Sequence, residues 1–126
     1  MKKILSVLLF ACLLVNKSSA QTNSSSSILR HIVIITFKQD ANTDSIKALD
    51  DIYVALSKGS MVKDFEMGVN ISTRDTGVVK HVYVTSFASK EDIDSYRKIP
   101  EYSKLFKISL PVASEVTVAD YWVRKE

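Results

Sequence analysis

Residues 29–38 read LRHIVIITFK, and this stretch decides the fold of the chain. With the two-residue period of a β-strand, its side chains divide between two faces. One face carries His31, Val33, Ile35 and Phe37, and the other carries Ile32, Ile34 and Thr36. Because both faces are mostly apolar, both must be covered. The stretch therefore predicts a strand in a sheet with helices on one side and an equally apolar surface on the other.

The segments that follow alternate between helical and strand periodicity. A helix is capped by Asn42 or Thr43 and ends at Gly59, and a second helix opens at Ser89 and is interrupted before Pro100. The remaining predicted segments are strands at 65–72, 78–87 and 116–123 and a helical segment at 101–110. The resulting order, β-α-β-β-α-β, predicts a ferredoxin-like α+β fold with a four-stranded antiparallel sheet and its helices on one face.

In this topology the first and third strands are central, and nothing in the chain covers their second face. A domain of about 100 residues buries little more than ~60% of its chain surface alone, and an exposed apolar sheet face marks an interface. The predicted partner is a second copy of the chain, which packs sheet against sheet about a two-fold axis.

The first 20 residues have the pattern of a bacterial secretory signal, with a basic start, an apolar run from Ile4 to Val15 and small residues before a cleavage site after Ala20. Residues 21–27 then form a Ser-rich linker, and the domain spans 28–126. We expect a periplasmic or secreted protein that has no membrane segment after cleavage. Two alternatives are an uncleaved anchor and a lipoprotein anchored through Cys12, the one cysteine.

The charge of the chain changes when the leader is removed. The full chain has 17 basic and 14 acidic residues, and Lys2, Lys3 and Lys17 belong to the leader, so the remainder is formally neutral. The basic balance is therefore no argument for nucleic acid as a partner. The predicted mature chain also lacks a cysteine, which excludes a disulfide and a thiol nucleophile.

Five motifs together resemble the stress-responsive dimeric α/β barrel (Dabb) family over residues 29–123. They are Arg30–Val33, Asp64–Asn70, Lys80–Phe87, Ser95-Tyr96 followed by Pro100, and Ala119–Tyr121. Met67 stands where an aromatic residue is usual in the second motif. The resemblance implies a homodimer whose two sheets face one another, with a cleft between sheet and helices in each subunit.

The family's best-defined enzyme type is a plant polyketide cyclase that works by acid-base chemistry without a metal or cofactor. Carried over by position, its pocket histidines fall on His31 and His81, its pocket tyrosine on Tyr96, and its catalytic histidine on Tyr102. A tyrosine with a pKa near ~10 is a poor general base at neutral pH. The cyclase reaction is therefore not transferred to this chain.

His31 and His81, the two histidines of the chain, begin the first and third strands. Taken as parallel neighbours, these strands bring both rings into one cavity, which the resemblance lines with Tyr96 and Tyr102 as well. The alternative is that both histidines are structural and donate to backbone carbonyls. A metal site would need Glu66 or Asp120 as a third ligand, and no ligand-spaced motif supplies it, so we predict no metal and no cofactor.

Two functions remain from the sequence. The first is a stress-associated or small-ligand-binding homodimer with His31, His81, Tyr96 and Tyr102 around a small apolar ligand. The second is a cofactor-free acid-base enzyme, of cyclase, lyase or isomerase type, that acts on a small apolar or aromatic compound. Asp120 lies within a strand, where a carboxylate needs a partner, and structural pairing is the favoured role for it.

Overall fold

A computed structural model describes residues 27–124 as one four-stranded sheet and the helices that cover it. The elements are β1 (Leu29–Phe37), α1 (Thr43–Leu56), β2 (Val62–Val69), a 3₁₀ turn (Thr73–Asp75), β3 (Lys80–Phe87), α2 (Lys90–Tyr96), α3 (Pro100–Val112) and β4 (Ala113–Trp122). The strand order is β2-β3-β1-β4, with β1 and β3 central. The predicted ferredoxin-like α+β fold is confirmed. The predicted leader and all but the last residue of the linker lie outside the described residues.

All three strand pairs are antiparallel, so the prediction that the first and third strands run parallel is wrong. The helical crossover through α1 makes β2 run in the direction of β1, and the following hairpin reverses β3. As a result His31 lies opposite Thr85, whereas His81 lies opposite Ile35. Four residues of β1 separate these two levels, a distance of about 13 Å.

The two faces of β1 have the two environments that its sequence indicates. His31, Val33, Ile35 and Phe37 are buried beneath the helices, and the three apolar residues among them belong to the hydrophobic core. Ile32, Ile34 and Thr36 point to the opposite face and stay partly exposed. We call this second surface the open face, because no helix of residues 27–124 is seen to cover these side chains.

On the helix side, side chains from the four strands line up in transverse rows, which the strand register defines. Three successive rows contain the two histidines and the residues around them. The first row is Val69, His81, Ile35 and Val116. The second row is Met67, Tyr83, Val33 and Val118. The third row is Phe65, Thr85, His31 and Asp120. The two histidines therefore belong to different rows. Each row runs from a residue of β2 at one edge of the sheet to a residue of β4 at the other edge.

The helices begin where their capping residues indicate. The side chain of Asn42 accepts hydrogen bonds from the amides of Asp44 and Ser45, at 2.9 and 3.1 Å, and starts α1. Ser89 accepts from the Asp92 amide in the same way and starts α2. Pro100 occupies the first turn of α3, where its missing N–H costs nothing, so the predicted helix break is confirmed.

No helix within residues 27–124 is long and apolar enough to cross a membrane.

Candidate functional site

An apolar cleft of about 320 Å³ lies between α3 and β4 on the helix side of the sheet. We call it the α3–β4 cleft. Its floor comes from β1 and β4, its wall from α3, and one end from α1. The lining residues are Val33, Ile35, Tyr53, Tyr102, Leu105, Phe106, Ser109, Leu110, Ala113, Ser114, Glu115, Val116 and Val118. Since β4 is an edge strand, the cleft is open along the side of the sheet.

A polar network of one buried and two partly exposed side chains adjoins one end of the α3–β4 cleft. His31 Nδ1 lies 2.6 Å from Asp120 Oδ1, and Arg97 donates to Asp120 Oδ2 at 2.5 Å. The His31 side chain is almost completely buried, whereas those of Arg97 and Asp120 are about one-third exposed. The third transverse row explains the first contact, because β1 and β4 place His31 and Asp120 directly opposite one another.

The environment of this network sets its charges. Burial lowers the pKa of His31, and this effect exceeds the opposing effect of the hydrogen bond to Asp120. Burial alone would raise the pKa of Asp120, but hydrogen bonds from His31 and Arg97 outweigh it and hold that pKa below its usual value. At neutral pH Asp120 is therefore ionised and His31 neutral. The imidazole then donates through Nδ1 and keeps a lone pair on Nε2.

Three buried polar atoms near this network form no hydrogen bond of good geometry among the described residues. They are His31 Nε2, Thr85 Oγ1 and the hydroxyl oxygen of Tyr96. Thr85 faces His31 across the sheet, and the Tyr96 ring centroid is 6.4 Å from that of His31. Tyr102 follows, with its ring 5.2 Å from Tyr96. Tyr96 and Tyr102 thus stand between the His31 network and the α3–β4 cleft.

Replacing Tyr96 by phenylalanine is expected to leave the free energy of unfolding unchanged or to raise it slightly. Burial raises the pKa of Tyr96 to about 12, and the neighbouring Thr85 hydroxyl opposes this effect only in part. The Tyr96 hydroxyl forms no hydrogen bond of good geometry among the described residues, so its removal costs little. Urea unfolding measures the effect, and Tyr83→Phe is the matched control because it breaks a hydrogen bond to Asp50. An equal loss in both variants would mean that the Tyr96 hydroxyl also has a partner.

A second histidine–aspartate pair lies at the level of the first and second transverse rows. Asp50 Oδ1, on α1, is 2.9 Å from His81 Nδ1 and accepts a hydrogen bond from the Tyr83 hydroxyl at 2.7 Å. Tyr83 stacks on Tyr53 with ring centroids 3.8 Å apart, and Phe37 meets the His81 ring edge to face at 5.0 Å. This pair joins α1 to β3.

The four predicted site residues therefore divide between three surroundings. Tyr102 lines the α3–β4 cleft, and Tyr96 lies behind it. His31 pairs with Asp120, and His81 pairs with Asp50, so the two histidines do not share a cavity. Asp120 has the partners that an in-strand carboxylate was expected to need. A binding role for these residues remains a prediction.

Asp50, Arg97 and the aliphatic lining of the cleft are absent from the sequence prediction. Asp50 lies in a helix with two other aspartates, and only the long-range packing of α1 on β3 distinguishes it from them. A carboxylate beside Ile46, Leu49 and Tyr53 on the apolar side of the helix is the one signal that could have found it.

The residues present do not assemble a metal site in the described part of the chain, where no group of three potential ligands comes together. Glu66, one of the two candidates for a third ligand, pairs with Arg30 at 3.8 Å. Its register places it on the open face, since it is opposite Val84, whereas both histidines are on the helix side.

Fold and cleft together define the class of the protein: a ferredoxin-like α+β domain with an apolar cleft between its last helix and its edge strand. Residues 29–123 match the model of the Stress responsive A/B Barrel Domain, and the chain belongs to this Dabb family. The resemblance stated from the motifs is confirmed. No curated protein matches the sequence significantly.

Several solved structures share the fold. The hydroxynitrile lyase from Passiflora edulis is 22% identical, with a TM-score of 0.69 over 80% of this chain and 97% of that one. A Dabb family protein with a ferredoxin-like fold from Mesorhizobium loti is 22% identical, with a TM-score of 0.63 over 79% and 99%. A dimeric ferredoxin-like protein of unknown function from Thermobifida fusca is 13% identical, with a TM-score of 0.66 over 79% and 93%. At these identities the likeness extends to the fold alone.

Proposed function

We propose that this protein is a homodimeric module that binds a small, uncharged apolar or aromatic molecule in the α3–β4 cleft. The observation that carries the proposal is the cleft itself. Its volume of about 320 Å³ lies at the lower end of the range for small-molecule sites, which are mostly apolar with a few polar groups. The lining residues that carry hydroxyls are Tyr53, Tyr102, Ser109 and Ser114, and the two serine hydroxyls also donate to backbone carbonyls.

The preference for an uncharged ligand follows from the direction of the one charged residue in the lining, Glu115. Its register is opposite Thr36, on the open face, and its carboxylate lies 3.4 Å from the Thr117 hydroxyl on the same face. Its charge is thus directed away from the cleft. An ionised ligand would lose its hydration in the α3–β4 cleft without gaining a partner of opposite charge.

Binding can be tested with 2-naphthol, a flat and largely apolar phenol, by isothermal titration calorimetry. We expect saturable binding by the wild type and a loss of at least tenfold in Val118→Trp, because the indole fills the floor of the cleft. Val118 is half exposed, so the larger side chain is compatible with folding. The matched control is Val54→Trp, on an exposed part of α1, which should bind as the wild type does. Failure of the wild type to bind, or equal loss in both variants, would refute the proposal.

The homodimer is proposed from the open face. Ile32, Ile34 and Val82 are partly exposed there, and the glycine at position 68 leaves a shallow groove beside Val84. A second open face would bury these side chains, and structural neighbours are described as dimeric. Sedimentation should show a dimer, Ile34→Glu should give a monomer, and Val54→Glu should remain dimeric. A monomeric wild type would overturn this part of the proposal.

Export is proposed from the leader pattern of residues 1–20. When the full chain is expressed in a bacterium, the mass of the mature protein should correspond to a start at Gln21 in the periplasm or the medium. A lipid-modified form beginning at Cys12, or an uncleaved chain in the cytoplasm, would contradict the proposal.

One observation favours the second function, acid-base catalysis. His31 is neutral, is oriented by Asp120 and keeps an unpartnered lone pair on Nε2, which is the state that a general base requires. Since one neighbour is a hydroxynitrile lyase, release of benzaldehyde from mandelonitrile is a direct assay. As an enzyme, the protein should lose turnover in His31→Gln and keep it in His81→Gln. Absence of turnover in the wild type would exclude this reaction.

A further inference from the structure

The two edges of the sheet carry exposed apolar side chains at matching levels. In the first transverse row the outer residues are Val69 on β2, 58% exposed, and Val116 on β4, 49% exposed. In the second row they are Met67, 44% exposed, and Val118, 52% exposed. The inner residues of these rows lie beneath the helices. Each row thus ends at both edges in a large apolar residue that lacks full cover, and the β4 ends form part of the cleft floor.

Two-fold symmetry relates these edges in a simple way when two open faces pack together. If the axis runs parallel to the strands, it exchanges the two edges and preserves the level along the strands. The β2 edge of one copy then lies beside the β4 edge of its partner. Val69 reaches the level of Val116, and Met67 reaches that of Val118, so both rows match without a shift. An axis perpendicular to the strands would instead place β2 beside β2 and reverse the levels.

We propose that the α3–β4 cleft is completed by the second copy of the chain, whose Met67 and Val69 extend the floor beyond β4. This inference rests on the proposed homodimer and the proposed ligand cleft, and it adds that each site is built from both subunits. The arrangement requires the two sheets to curve until their edges meet, so that the helix sides of both copies form one continuous outer surface. Both edge strands then have a neighbour, and eight strands close around an interior that side chains just fill. The open side of the cleft is where the partner's residues would stand.

A cysteine cross-link tests the juxtaposition without any ligand. In a Cys12→Ser background, chains that carry Val69→Cys and Val116→Cys together should form a disulfide-linked dimer on a non-reducing gel. Within one chain these positions lie on opposite edges, three strand spacings or about 14 Å apart, which is too far for a disulfide. Val54→Cys with Val116→Cys is the control and should stay unlinked.

The cross-link has two contrary outcomes. Linkage in Val69→Cys alone would place β2 beside β2 and overturn the proposal. A dimer by sedimentation that forms no 69–116 link would overturn it as well, while the proposed homodimer would stand. A monomer by sedimentation would instead refute the homodimer.

Trans-complementation tests whether the partner's residue belongs to the site. Val69→Trp should remain dimeric and weaken 2-naphthol binding at least tenfold, because the indole enters the cleft of the partner; its own cleft is at the other edge. Val118→Trp blocks the cleft from within. A heterodimer of the two variants, isolated with two different tags, has one intact site and should bind at half the sites of the wild type.

The outcomes separate the claims. Normal binding by Val69→Trp, or no binding by the heterodimer, would overturn the shared site. If the wild type itself does not bind 2-naphthol, the proposed ligand function fails, and the cross-link still decides whether the two edges meet.

Discussion

Replacing Asp50 by alanine is expected to lower the free energy of unfolding by about 2–3 kcal/mol, because the buried Tyr83 hydroxyl and the largely buried His81 imidazole lose their acceptor at once. Asp50 Oδ1 accepts from the Tyr83 hydroxyl and lies within hydrogen-bond distance of His81 Nδ1. The Tyr83 side chain is fully buried, so water cannot replace the lost acceptor without a rearrangement. Burial, reinforced by the hydrogen bond to Asp50, raises the pKa of Tyr83, so its hydroxyl stays protonated and remains a donor.

The next residue along α1 provides the control for this prediction. Asp51 forms an exposed i,i+4 ion pair with Lys47, at 2.6 Å. Exposed pairs of this kind contribute at most a few tenths of a kcal/mol, so Asp51→Ala should have little effect. Urea unfolding followed by Trp122 fluorescence measures both variants. Similar losses in the two would mean that Asp50 acts through the helix and not through its contacts with β3.

Acidification is expected to destabilise the protein in two steps. The first step arises from His31, whose pKa is lowered in the folded state. An unfolded histidine takes up its proton near pH ~6.5, whereas the folded one resists it, so the contribution of His31 is fully present above that pH. It is lost as the pH falls through the lower folded pKa, with a slope of at most about 1.4 kcal/mol per pH unit.

The second step arises from Asp120, whose folded pKa also lies below its usual value. Its stabilisation is present above the unfolded pKa of about 4 and is lost as the pH falls further. His31→Gln removes the first step. Because His31 is one of the two donors that hold the Asp120 pKa down, this substitution also reduces the second step, whereas Asp120→Asn removes the second step altogether.

Urea unfolding at a series of pH values tests both steps. The difference in unfolding free energy between wild type and His31→Gln should narrow as the pH falls below about 6.5. The difference between wild type and Asp120→Asn should narrow below about pH 4. A difference from His31→Gln that is constant over the whole range would show that His31 does not titrate differently in the folded and unfolded states.

Much of the fold follows from local patterns. The alternation of β1 predicts both of its faces, Asn42 and Ser89 mark the starts of their helices, and Pro100 marks the break between α2 and α3. These features depend on residues within a few positions of one another. The prediction that β1 and β3 run parallel is wrong. The periodicity of a single strand carries no information about its direction, which is determined by the helical crossover before β2 and the hairpin after it.

The candidate site is less accessible from sequence for a related reason. The sequence identifies Asp120 as a carboxylate that needs a partner. Its partners cannot be identified locally, because His31 is 89 positions away in the chain and Arg97 is 23 positions away. Asp50 and His81 are 31 positions apart, and nothing local links them. The volume of the α3–β4 cleft depends on the position of α3, which packs against α1 and leaves the β4 edge uncovered. That position is determined by the packing of all the helices on the sheet.

Because the two histidine–aspartate pairs are separate, each histidine ring can be used to measure local opening of a different part of the domain. Each imidazole is held by a different carboxylate, His31 through the edge strand β4 and His81 through the helix α1. The two ring signals in a nuclear magnetic resonance spectrum can be assigned with one substitution each. Exchange of the His31 ring proton then reports when the β4 edge detaches, and exchange of the His81 ring proton reports when α1 lifts from the sheet. The exchange rates of these two ring protons therefore show whether the β4 edge or α1 opens more readily.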